Sequence, residues 1–149
     1  MGYELVKVTE PADWADFHRI RRVELFEARG RFGVYNDNHP HDHADFAHPF
    51  LLKREGRALG TVRLDLFGGG RAAVRLVAIT AEEQRRGHGR AMEAMVADVA
   101  RELGVRTLLV NAVLDAQEFY AKSGWVPFEW DPSELVNSPV SCIQMRKLL

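Results

Sequence analysis

Leu76-Val77-Ala78-Ile79-Thr80, followed three residues later by Gln84-Arg85-Arg86-Gly87-His88-Gly89-Arg90, is the stretch on which the fold turns. An apolar run short enough for a buried strand enters a charged, glycine-bearing turn. Met92, Met95, Val96, Val99 and Leu103 then fall at spacings of three and four, the pattern of an amphipathic helix. Gly104 stands where a helix C-terminus prefers glycine. Strand, glycine turn and helix in this order gather backbone N–H groups at the positive end of a helix dipole, which attracts phosphate. Arg85, Arg86 and Arg90 oppose that dipole, so their clustering favours a bound anion. A P-loop needs Lys and Ser or Thr after its last glycine, and here Gly89 precedes Arg90-Ala91. A dinucleotide turn needs three glycines, and this one has Gly87 and Gly89 only. Both are excluded.

Upstream, residues 3–9 alternate as a short strand, and Trp14, Phe17, Ile20, Leu25 and Phe26 predict a helix over residues 13–29 that ends near Gly30. Residues 31–49 carry Gly, Asn, Asp, His and Pro without periodicity and predict a long loop with a short helical turn. Strands follow at 50–54, 57–67 and 72–80. They are joined by Glu55-Gly56 and by Gly68-Gly69-Gly70, which allow the positive φ of tight reversals. Downstream, 107–110 reads as a buried strand, 116–122 as a short helix ended by Gly124, and 125–130 and 140–146 as two more strands.

The chain has 149 residues, the size of a single domain spanning 1–149. With 46% hydrophobic and 28% charged residues it matches soluble globular chains, which excludes a disordered polymer. Twenty basic against twenty-one acidic side chains leave a net charge of -1, so no overall field draws the protein to nucleic acid or an anionic membrane. Any anion site is local. Residues 1–10 are charged throughout and no run approaches the roughly 18 apolar residues of a membrane span, so the expectation is a cytoplasmic protein. Cys142, the only cysteine, excludes an internal disulfide and a thiolate zinc cage, and its neighbours Ile143 and Met145 predict a packing role.

The pattern Gln/Arg-x-x-Gly-x-Gly between an apolar strand and an amphipathic helix resembles the acyl-CoA signature of the GNAT superfamily of N-acetyltransferases. Further on, Ala116-Gln117-Glu118-Phe119-Tyr120-Ala121-Lys122-Ser123-Gly124-Trp125 is similar to the family's second signature, an Ala, then Phe-Tyr, then Gly-Phe, with Trp125 in place of Phe. The two motifs cover residues 72–130; the N-terminal third carries no comparable motif. The resemblance implies an α/β (α+β) GNAT fold: a single mixed, mostly antiparallel twisted sheet of six to seven strands, helices on both faces and a splayed central strand pair. It implies transfer of an acetyl group from acetyl-CoA directly to an amine, with a small-molecule or peptide acceptor, and a homodimer as found for many members.

Carried over position by position, the resemblance assigns backbone groups of the Val77-Ala78-Ile79 strand to the pantetheine arm, with Val77 and Ile79 as its principal partners. It assigns Arg85, Arg86, Gly87, His88, Gly89 and Arg90 to the pyrophosphate. A chain of amides adds to a strand as a peptide does. Asn111, at the end of the next strand, meets the arm or the substrate, or serves as a turn residue. Tyr120 matches the tyrosine that protonates the departing thiolate; a phenol with reference pKa near 10 stays protonated at neutral pH. The alternative for Tyr120 is packing.

The general base is open. The glutamate used by the histone-modifying branch corresponds here to about Ala73. Glu24, Glu27, Asp37, His39, His41, Asp42, His43 and ordered water are the candidates, histidine having the best matched pKa. Asp37, Asp42 and Asp45 suit a cationic amine. The run Asn36-Asp37-Asn38-His39-Pro40-His41-Asp42-His43-Ala44-Asp45, with His48 nearby, also allows a metal site if its histidines alternate along an extended strand, although a substrate loop ranks above it and no metal ligand is assigned. An acyl-CoA-binding domain without turnover, and less favourably a metal-binding protein using the 39–48 loop, are the rival functions.

Overall fold

The computed structural model describes residues 2–149; Met1, part of the N-terminal stretch read for a targeting signal, lies outside the described residues. The strands are β1 (Tyr3–Lys7), β2 (Ala47–Arg54), β3 (Arg57–Gly68), β4 (Arg71–Ile79), β5 (Thr107–Val113), β6 (Val126–Pro127) and β7 (Cys142–Leu148). They form one sheet in the order β1-β2-β3-β4-β5-β7-β6. Every neighbouring pair is antiparallel except β4 and β5. Those two run parallel because the helix α2 (His88–Glu102) carries the chain back between them.

The β2–β3 reversal is a two-residue turn, with φ of 54° at Glu55 and 78° at Gly56, the hand that matches strand twist. The first helix is less uniform than its periodicity predicts. Helix α1 (Pro11–Arg21) runs into one π-turn, Arg22–Phe26, in which the Glu27 N–H reaches back to Arg22 O, then into a 3-10 turn, Glu27–Arg29, closed by Gly30 at φ 76°. The loop that follows holds a short 3-10 turn, Pro40–His43, and β2 begins at Ala47, inside the span predicted as loop. The strand predicted at 125–130 shrinks to the two residues of β6. The Gln144 side-chain oxygen takes the N–H groups of Trp130 and Asp131, both at 2.8 Å, where a ladder would otherwise continue. The short helix α3 (Gln117–Lys122) follows a 3-10 turn, Leu114–Ala116, and Gly124 follows at φ 93°.

Helices cover both faces. On one, Phe17 and Ile20 of α1 pack with Val8, Leu51 and Ala78; on the other, Met92, Val96 and Ala100 of α2, with Tyr120 and Trp125, pack on Leu52, Leu64, Val74 and Leu108. Strand β4 changes phase between these cores. Ala72 and Val74 face α2, and so do Val77 and Ile79, a switch from even to odd positions that requires one extra residue. Leu76 supplies it, at φ 54°, where the β3 register slips from Arg63↔Arg75 to Thr61↔Ala78 and the Thr61 hydroxyl donates to Leu76 O at 3.1 Å. This β-bulge bends β4. Pairing with β5 runs only from Arg71↔Thr107 to Val74↔Val110, and beyond it the two strands part.

Candidate active site

The gap between the parted strands opens into a cleft of about 860 Å³. Val77, Ala78, Ile79, Arg85, Gly87, His88, Gly89, Arg90, Asn111 and Tyr120 all line it. Val77, Ala78 and Ile79 present there a strand edge that β5 does not pair. At one end lies the N-terminus of α2. No side chain caps it, no acidic residue stands in its first turn, and its first backbone bond is Ala91 N–H to Gly87 O. The amides of His88, Gly89 and Arg90 therefore have no partner within the helix. Arg85 and Gly87, at φ 64° and 84°, curve the turn, and the Gln84 amide ties it to Ile79 O at 2.9 Å.

Two residues of the turn sit differently from expectation. Arg86 is outside the cleft, its guanidinium 4.0 Å from Glu83, in a second depression shared with Arg57. The His88 ring is buried and spoken for: the Tyr3 hydroxyl lies 2.7 Å from Nδ1 and Glu83 Oε1 lies 3.0 Å from Nε2. Its imidazole anchors the turn, and only its main chain is available to a ligand. Asn111 lies within β5 and not in a turn; its amide donates to Glu134 at 3.0 Å and its oxygen accepts from Gln144 at 2.9 Å. Tyr120 is 6% exposed and packs edge-on to Phe119 and Trp125, and burial pushes its phenol well above the usual range. It lines the cleft and packs in the core at once. Cys142, expected to be packed away, is half-buried and lines the same cleft; burial raises its thiol pKa.

A second cleft, about 1120 Å³, adjoins the first, and Phe26, Arg75 and Leu76 line both. Its aromatic wall is Phe26, Tyr35, Phe46, Phe67 and Trp130. Its floor is a chain of charges. Arg21 and Arg63 both donate to Asp42 Oδ1 at 2.9 Å, and Arg63 grips Asp65 through Nε and Nη2 at 2.9 and 3.0 Å. Arg75 donates to Asp65 at 3.1 Å and holds Glu134 with both terminal nitrogens, at 2.6 and 3.0 Å. Sequence reasoning missed this floor. Arg63 and Asp65, charges two apart inside an apolar strand, were its visible trace.

The proposed bases separate. Asp42 is 2% exposed; burial alone would raise its pKa, but Arg21 and Arg63 outweigh that and hold its carboxyl below the ordinary range. It is an anchoring ion, neither a base nor an amine ligand. Glu24 accepts the Ala81 N–H at 2.9 Å, Glu27 pairs with Arg22 at 3.3 Å, and His43 packs on Trp14 at 4.8 Å. Neither these three nor Asp37 and Asp45 line either cleft, whereas His39 and His41 line the second. Ala73 is fully buried. The histidines do not alternate along an extended strand: Pro40 starts a 3-10 turn in which the His41 N–H donates to His39 Nδ1 at 3.1 Å. Among the described residues no group of three or more His, Cys, Asp or Glu is arranged to hold a metal ion, and no helix is long and apolar enough to cross a membrane.

A model of the acetyltransferase (GNAT) family matches residues 13–125, and the chain belongs to that family. Its fold is shared by a candidate N-acetyltransferase from Lactobacillus plantarum, at 18% identity and TM-score 0.83, over 100% of this chain and 99% of the other. The ribosomal-protein-S18-alanine N-acetyltransferase of Escherichia coli matches at 16% identity and TM-score 0.75, over 99% and 94%. An N-acetylglutamate synthase from Neisseria gonorrhoeae, solved with coenzyme A and L-arginine, matches at 14% identity and TM-score 0.74 over 99% of this chain, which spans 33% of its length. These likenesses establish a GNAT acetyltransferase fold.

Proposed function

We propose that residues 1–149 form one cytoplasmic N-acetyltransferase domain that transfers an acetyl group from acetyl-CoA directly to a primary amine. The observation that carries this is the opening between β4 and β5, which collects every residue expected at the cofactor except Arg86. The donor set suits a CoA arm: a strand edge that β5 leaves open for its amides, with Ile79 O tied to Gln84, and uncapped helix amides with Arg85 and Arg90 for its phosphates. Gly89 supports this. A Cβ there would meet nothing closer than Phe119 at 3.6 Å, so the protein's own packing does not demand glycine, whereas a phosphate lying on the turn does.

Tyr120 keeps its proton at every physiological pH and donates it to the sulfur as the C–S bond breaks. The second cleft delivers the amine, whose nitrogen reaches the carbonyl at the shared boundary of Phe26, Arg75 and Leu76. Asp65 and Glu134 are already matched by arginine, which leaves them no charge to spend on a second cation. The aromatic wall therefore favours an amine with an apolar or aromatic body over a polycation.

The test is thiol release from acetyl-CoA with a panel of amines, alongside calorimetric titration with CoA. Release with an aromatic or aliphatic monoamine, and little with a polyamine, is expected. Tight CoA binding with no release from any amine would instead make the protein an acyl-CoA-binding domain.

A further inference from the structure

We propose that Tyr35 is the catalytic residue that takes the proton from the acceptor amine, with His18 acting through it as the terminal proton acceptor. This rests on the transferase reading and identifies the base it leaves open. Tyr35 lines the second cleft and packs edge-on against Phe26 at 5.1 Å, the ring that both clefts share. Its hydroxyl lies 2.6 Å from His18 Nδ1, and His18 stacks on Trp14, whose ring is 5.5 Å away and tilted by 21°. The imidazole is thereby held in place on α1, and Tyr35 borders the space where the amine enters.

The other carboxylates of that space are engaged. Asp65 and Glu134 are bound by Arg63 and Arg75, and Asp131 accepts from Ser133 N–H and hydroxyl. Tyr35 and His18 form a relay of neutral groups. The ammonium N–H passes its proton to Tyr35 Oη as the Tyr35 O–H passes its own to His18 Nδ1. The freed nitrogen lone pair then attacks the thioester carbon, and the C–S bond breaks with its electron pair on sulfur, which takes the Tyr120 proton. The nitrogen's second proton goes to solvent as the amide forms, solvent restores the Tyr120 proton, and the imidazolium returns its proton to solvent.

The surroundings keep both members neutral beforehand. Burial, followed by Arg21, lowers the His18 pKa, against the opposing charges of Asp42 and Asp37, with His43 adding to the lowering. Burial pushes Tyr35 up to about 12, with Arg21 and Arg22 opposing and Asp42 and Asp37 reinforcing. An imidazole that is free base at neutral pH is able to accept the proton.

The test uses the full chain, acetyl-CoA and phenethylamine, or whichever panel amine the wild type acetylates fastest, with His18→Gln, Tyr35→Phe and His41→Gln. At pH 7, His18→Gln and Tyr35→Phe should each lower kcat by about 10²-fold with the KM for acetyl-CoA within about twofold of wild type. Near pH 10, where the amine loses its own proton, the deficit should shrink severalfold or more, and the acid limb of the wild-type profile should be absent from His18→Gln. A structural role would not be rescued by alkali. Equal losses at every pH, no loss in Tyr35→Phe, or alkaline rescue confined to His41→Gln would each overturn the proposal. An NMR titration of the His18 ring is independent of turnover: a neutral ring at pH 7 with its proton on Nε2 is expected. A charged ring or a proton on Nδ1 at pH 7 overturns the relay even if no amine is acetylated, whereas absence of thiol release with the expected ring state counts against the transferase reading alone.

Discussion

Two clefts meet at the bulge of β4, and they are built from different parts of the chain. The proposed cofactor cleft presents main-chain groups: a strand edge, a glycine turn and the uncapped start of α2. The adjoining cleft presents side chains, drawn from α1, the 31–46 loop, β3, β4 and the turn Pro132–Leu135, and held by ion pairs between elements far apart in sequence. Main-chain recognition needs a local backbone shape, which a short motif can encode. Side-chain recognition needs partners brought together by the fold, and no short motif records them.

The comparison breaks first at Asp42. Asp42→Ala should cost about 3–5 kcal/mol in denaturant unfolding, because it leaves Arg21 and Arg63 buried without their shared partner. The native pKa of Asp42 lies below its unfolded value, so its stabilisation is complete above the unfolded value, near 3.8, and is lost as pH falls through the native one. The acid-unfolding curves of wild type and variant should therefore converge at low pH. Parallel curves at all pH would show that Asp42 contributes by packing alone.

Tyr120→Phe tests the other side. A loss of about 10²-fold in kcat is expected with CoA affinity within about twofold, because the phenyl ring preserves the packing on Phe119 and Trp125 and removes only the proton donor. Unchanged kcat would return Tyr120 to a packing role. Gly89→Ala sharpens the contrast further: with no tight contact at the added methyl, stability should move by less than about 1 kcal/mol while CoA affinity drops about tenfold. Gly87→Ala, at φ 84°, should lose about 1 kcal/mol of stability as well. The smallest difference is between two adjacent arginines. Arg85→Ala, within the cleft, should weaken CoA binding several-fold more than Arg86→Ala, whose side chain lies outside it beside Glu83.

The elements with a strong local cause were legible. The period of α2, its closing Gly104, the Glu55-Gly56 hairpin and both family motifs follow from nearest neighbours along the chain, and the GNAT sheet follows from their order. The bulge was not legible, because Leu76 at φ 54° has no local preference for that conformation and accepts it only where Thr61 and the two opposing cores hold the strand. His88 stands in the glycine turn that its neighbours mark as an anion site, but Tyr3 and Glu83 claim its ring. The acidic loop expected to attract an amine lost Asp42 to a buried ion pair, since a charge drawn into the interior takes the arginines nearest to it.

From the residues alone come the family, the element order and the glycine turn with its cations, all short-range properties of backbone and helix periodicity. The tertiary structure alone decided where β4 leaves β5, which carboxylates are neutralised, and that Tyr35 and His18, seventeen residues apart across a helix and a loop, share one hydrogen bond. Register and pairing depend on which distant groups are buried together, and burial is a property of the folded chain.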